Sequence, residues 1–153
     1  MGTRVIGLGQ SAAGDDGVGL AVLRWIREAG PPAGTELIEA REATALIPLL
    51  ETASHVVLVD AMVGDVAAGQ VIEFGAEALA ERPRGPRPVS THGVDIRQAI
   101  ALARLVSTGA VSQRIWVVGV TIAPPRRYVH GLSPDVQAAI PVAARAVLAR
   151  IRD

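Results

Sequence analysis

The chain has 153 residues, half of them apolar and one fifth charged, enough to bury the core of one domain over 1–153 and too few to force a second. Fifteen Lys and Arg balance fifteen Asp and Glu, and there is no cysteine, so general attraction to nucleic acid or an anionic membrane, disulfides and thiolate zinc sites are all excluded. No basic and apolar leader pattern and no apolar run of about 18 residues occurs, which makes a cytoplasmic protein the expectation.

Residues 3–9 read as a first strand. The run Gly7-Leu8-Gly9-Gln10-Ser11-Ala12-Ala13-Gly14-Asp15-Asp16-Gly17-Val18-Gly19 leaves it through a tight glycine turn that sets Asp15 and Asp16 at the strand's carboxyl end. A helix is predicted over 17–29, with Val18, Val22, Trp25 and Ile26 on one buried face and Gly30-Pro31-Pro32 as its stop. A weakly alternating strand over 36–39 leads to a helix-like segment at 44–51, interrupted by Pro48. His55-Val56-Val57-Leu58-Val59-Asp60 is a continuous apolar run ending in a carboxylate, the pattern of a central parallel strand buried on both faces. The next strand, 69–74, follows through a loop holding Gly64 and Asp65 that is too short for a parallel crossover, so it should run antiparallel at an edge.

Residues 82–88 are predicted to be an irregular exposed loop carrying Arg82, Arg84 and Arg87. They lead into Ser90-Thr91-His92-Gly93 and a helix over about 93–107, with Ile96, Ile100, Ala103 and Leu105 or Val106 inward. The apolar run 115–122 predicts a last, internal strand. After a loop at 123–132, Ser133-Pro134-Asp135 opens a final helix whose inward residues are Val136, Ile140, Ala144, Val147 and Ile151, and which Pro141 should kink or shorten. Alternating strands and helices predict an α/β fold: a three-layer α/β/α sandwich around a mostly parallel five-stranded sheet with one antiparallel edge strand.

The glycine turn admits two chemistries. It can cradle a dinucleotide's pyrophosphate, although two carboxylates close by would oppose an anion. Alternatively, Asp16 after the first strand, Asp60 on the third and His92 before a helix all belong to the carboxyl ends of the strands, where open α/β sheets bind ligands. Two carboxylates and an imidazole suit nickel or zinc and leave coordination positions open. Asp15 and Asp16 can also simply cap the helix they precede. Of the other histidines, His55 opens its strand at the end opposite Asp60 and is excluded, while His130 lies in a loop that can reach the site.

The glycine loop with Asp15-Asp16-Gly17-Val18-Gly19, the strand ending Val59-Asp60-Ala61, the Ser90-Thr91-His92 turn, the Val118-Gly119-Val120 strand and the closing His130-Gly131-Leu132-Ser133-Pro134 together resemble the hydrogenase maturation endopeptidases. The match runs in order over nearly the whole chain. The resemblance implies an endopeptidase that removes the C-terminal extension of a nickel-iron hydrogenase large-subunit precursor after nickel insertion. It implies that Asp16, Asp60 and His92 are the catalytic and metal-contacting residues, with nickel delivered by the precursor and zinc as a possible substitute in vitro. Many relatives carry Glu where Asp16 stands. Peptide cleavage would proceed through cation-activated water or through a carboxylate acting as general base.

One segment departs from the family pattern. After the second strand the family has an acidic residue and Gly-Gly-Thr, linked to substrate choice, where this chain has Glu39-Ala40-Arg41-Glu42-Ala43-Thr44. Two rival readings remain: a nucleotide-binding Rossmann-like domain built on Gly7 to Gly14, and a catalytically silent relative that only binds the precursor or nickel. The expected partner is the precursor protein, with no nucleic acid and no membrane; the sequence does not fix an oligomeric state.

Overall fold

A computed structural model describes residues 2–10, 13–79, 85–88, 95–124 and 130–153. Its centre is a sheet in which β1 (Thr3–Leu8), β2 (Thr35–Ala40), β3 (His55–Val63), β4 (Val71–Gly75) and β6 (Arg114–Thr121) lie in the order β2-β1-β3-β6-β4. Pairing is parallel except for β4, which runs antiparallel to β6 at the edge. The short link from β3 to β4 thus has the predicted consequence, and β6 is internal.

The sheet gains a sixth member where an exposed loop was expected. β5 (Arg87–Pro88) pairs antiparallel with Met62 and Val63 of β3. Proline fits there because a two-residue strand at the margin needs few ladder N–H groups. Arg82 and Arg84 lie outside the described residues. β3 correspondingly continues three residues past Asp60 rather than ending at it.

Among the described residues four helices cover the two faces: α1 (Val18–Ala29), the single turn α2 (Leu46–Leu49), α3 (Ile96–Val106) and α4 (Pro134–Arg152). Ile6, Leu58, Met62 and Val117 face α2 and α3, with Leu46 and Ile100 opposite them. Val5, Val57, Val59 and Val118 face α1 and α4, meeting Val22, Ile26, Ile140 and Val147. Successive residues of β3 therefore serve opposite cores, which is why its sequence shows no polar alternation.

Local departures have identifiable causes. The predicted helix at 44–51 is a 3₁₀ turn, Ala43–Ala45, followed by α2. α3 begins only at Ile96, because Asp95 caps it in a reciprocal pair with Gln98. Its buried stripe is Ile96, Ala99, Ile100 and Ala103, while Leu105 and Val106 are 81% and 60% exposed. Leu105 lies ~200° around the helix from Ala103, away from the sheet. α4 is not shortened by Pro141 and runs on to Arg152. The carbonyl that loses a partner belongs to Gln137, an exposed residue. Among the described residues no helix is long and apolar enough to cross a membrane.

The start of α1 is pressed into the sheet. A Cβ on Gly19 would collide with the carbonyl oxygen of Leu8 and lie 2.6 Å from that of Val59. Both obstacles are backbone, so Gly19→Ala must push α1 outward. The expected cost is about 1–3 kcal/mol, read as a lower urea midpoint at unchanged m-value; an unchanged midpoint would mean the contact is not tight.

Candidate functional site

The chain leaves β1 for α1 and β2 on one side, then returns across β1 to form β3 on the other. β1 and β3 therefore flank the switch point of the sheet, the position where open α/β folds bind ligands. Their pairing ends at Gly7 and Val59. Beyond it β1 turns away while β3 continues, supported by β6 through Asp60, Ala61 and Met62. Asp60 is the first residue of β3 past that parting, which explains how a carboxylate comes to lie inside a strand.

Asp16 reaches the same place from the glycine turn. Gly9 has φ +139, a conformation L side chains avoid, and a Cβ there would strike the Asp16 carbonyl. Gly14 is left-handed at φ +61 and starts the 3₁₀ turn Gly14–Gly17 that runs into α1; Gly17, at φ −78, is not left-handed. The Gln10 N–H donates to Asp16 Oδ2 at 3.1 Å. Asp16 thus closes the loop back on the end of β1 and does not cap α1 by its side chain.

Asp16 and Asp60 are each only 4% exposed. Burial raises the Asp16 pKa, opposed in part by the Gln10 hydrogen bond. Burial pushes Asp60 well above the usual carboxylate range, and the Asp16 charge raises it further, against one N–H bond from Ala61 at 2.8 Å. The carboxylates are therefore near enough to repel, and among the described residues no ion pair neutralises either. Two oxygen donors in this state fit a divalent cation, which would relieve the repulsion.

His92 lies outside the described residues. So does the start of the helix predicted at Gly93. Among the described residues no group of three His, Asp or Glu forms a metal-binding cluster. His55 opens β3, five residues and about 16 Å along the strand from Asp60, and burial and Arg114 lower its pKa. His130 is exposed at the rim of a groove of about 440 Å³ between α1 and α4, which Trp25, Leu132 and Ile140 also line. Asp15, read as a possible helix cap, instead takes two hydrogen bonds from Ser133. Ser133 stood out only as a helix start, and nothing local in the sequence links the two.

The family model of HycI hydrogenase maturation proteases matches residues 27–150. The chain belongs to the hydrogenase maturation protease family. The protease superposes on the hydrogenase maturating endopeptidase HybD of E. coli with a TM-score of 0.81, at 24% identity over 99% of this chain and 93% of that one. The [NiFe] hydrogenase maturation protease HybD from Thermococcus kodakarensis gives 0.75 at 22% identity, covering 96% and 97%. A hydrogenase 2 maturation peptidase from a Thaumarchaeota archaeon gives 0.70 at 21%, covering 99% and 98%. No curated protein matches the protease by sequence. The matched span contains Asp60 and His92 but begins after Asp16, so the case for Asp16 rests on its position in the fold.

Among the described residues, the turn before α1 presents two adjacent acidic side chains, Asp15 and Asp16, which oppose an anion at the place where a Rossmann loop would hold a pyrophosphate.

The electrostatic arrangement has a measurable consequence. With its folded pKa raised, Asp60 keeps a proton that the unfolded chain has already released, so stability falls as pH rises from about 4 through the folded value. Asp60→Asn removes that charge and keeps an acceptor for Ala61. At pH 7 the variant should melt above the parent, by about 2–4 °C per kcal/mol relieved, and the gap should close as pH falls toward 4. Thermal melts followed by circular dichroism across this range provide the check; a variant less stable at pH 7 would refute the buried-charge account.

Proposed function

We propose that the protease is a cytoplasmic endopeptidase that removes a C-terminal extension from a nickel-iron hydrogenase large-subunit precursor after nickel insertion. In this reading Asp16, Asp60 and His92 contact nickel carried by the precursor, so the metal arrives as part of the substrate, and zinc can take the same donors in vitro. The observation that carries the proposal is the pair of buried, mutually repelling carboxylates at the switch point of a family-typical fold. A structural pair would be expected to have a cationic or neutral partner; this pair is arranged to receive positive charge.

His92 enters as the third donor through its place in the chain. It follows Pro88 by four residues, and Pro88 is paired with Met62, two residues beyond Asp60. That length of chain permits a reach to Asp60. A cation held there would polarise the scissile carbonyl or activate water. Asp60 Oδ1 accepts from the Ala61 N–H, which leaves Oδ2 to the cation or, if a carboxylate is the general base, to the proton of the attacking water. Asp16 supplies the negative charge that keeps a cation beside it.

The decisive experiment measures the intact mass of the large subunit from nickel-replete cells with the gene, without it, and with Asp16→Ala or His92→Ala. Retention of the extension in all three altered strains is the expected result. Trimming without the gene would exclude this precursor as substrate. Stable complex formation between parent protein and precursor with no mass change would instead favour the silent, precursor-binding relative. NAD or ATP binding that survives Asp16→Ala would favour the nucleotide-binding alternative.

A further inference from the structure

Asp15, the neighbour of Asp16, is held at both oxygens by one distant residue. The Ser133 N–H donates to Asp15 Oδ1 at 2.7 Å and the Ser133 hydroxyl to Oδ2 at 2.7 Å. Ser133 precedes α4 at the N-cap position, where a serine ordinarily turns its hydroxyl toward its own helix. Here α4 receives no such side-chain bond, and Asp15 gives none to the turn that it occupies. Each residue makes its bonds to the other in place of a local one. Hydrogen bonds to a carboxylate are roughly twice as strong as neutral ones, and two from a single residue fix the plane of the carboxylate as well as its position.

The next residue along, Asp16, reaches the opposite way to the Gln10 N–H. The 3₁₀ turn Gly14–Gly17 is thereby tied at consecutive residues, to the start of α4 and to the end of β1. The groove between α1 and α4 ends at the same anchor, with Gly14 and Gly17 on one wall and Gly131 and Leu132 on the other.

We propose that Asp15 and Ser133 are a positioning pair that orients Asp16 toward Asp60, so that the start of α4 serves the site as well as the core. This rests on the reading of Asp16 as a contact for the precursor's nickel. Neither residue touches the reacting atoms; both act through Asp16.

The test compares Ser133→Ala, Ser133→Thr, Asp15→Asn and Asp16→Ala in cleavage of nickel-loaded precursor. The amide resonance of Gln10 reports separately where the Asp16 carboxylate lies. Ser133→Ala and Asp15→Asn should shift that resonance, speed its hydrogen exchange and lower kcat by about ten- to a hundred-fold at unchanged KM. Ser133→Thr, which keeps the hydroxyl, should restore both. A lowered thermal midpoint with the Gln10 amide and kcat at parental values would overturn the proposal, because a merely structural tie moves stability alone. Normal cleavage by Asp16→Ala would refute the nickel-contact reading instead. The Gln10 amide then decides the positioning by itself: moved in Ser133→Ala it upholds the pair, unmoved it overturns it.

Discussion

The burial of two acidic side chains beside each other, Asp16 against Asp60, where each disfavours the charge of the other, is the constraint on which the rest of this structure turns. A carboxylate removed from water is costly unless paired, and a second one nearby increases the cost. What the described residues supply in return is small: one backbone N–H for each, from Gln10 and Ala61, and for Asp16 the positive end of α1. None of these cancels a full charge. The protein therefore holds this arrangement at the expense of stability, and such an arrangement is characteristic of a site shaped by its ligand rather than by the core.

The sheet makes the arrangement possible by letting neighbouring strands differ in length. β1 leaves after Leu8, whereas β3 continues to Val63 because β6 and the two residues of β5 keep its edges paired. Where β1 departs, its pairing with β3 stops at Val59, and Asp60 is the next residue. α1 can bring Asp16 down to it only because Gly19 lets the helix start rest on the carbonyls of Leu8 and Val59. The small residues of the glycine loop thus act mainly by allowing close approach of backbone to backbone.

This division explains what was readable in the sequence. Continuous apolar runs marked β3 and β6 as internal because burial on both faces leaves no room for polar alternation, and a short connection marked β4 as an antiparallel edge because chain length permits nothing else. The ordered motifs pointed to the family. By contrast, the Asp15 to Ser133 tie spans 118 residues and leaves no local pattern. β5 is made of Arg87 and Pro88, a pair with no strand propensity, and exists because the tail of β3 offers it an edge. Leu105 or Val106 reads as inward on hydrophobicity, yet both are exposed and the helical angle of Leu105 faces it outward. In the first two cases tertiary geometry decides what local preference does not; in the third, helical geometry does.

The departure from the family pattern at Glu39 to Thr44 is also resolved at the level of the backbone. Ala40 ends β2 and its carbonyl accepts the N–H of Gly9 at 3.1 Å, so this segment abuts the loop that carries Asp16. Ala40 and Ala43 are buried against the α2 and α3 side of the core, and Arg41 and Thr44 are exposed. Among the described residues, Thr52 alone has a positive φ without being glycine, so nothing between Arg41 and Thr44 takes a left-handed conformation. Glycines here would offer a substrate bare backbone and freedom to adjust. The alanines tie the segment into the core instead, and leave a cationic and a hydroxyl side chain pointing to solvent beside the site. The same position in the fold therefore presents side chains on a packed support, a change in the surface beside the site that leaves the buried carboxylates untouched.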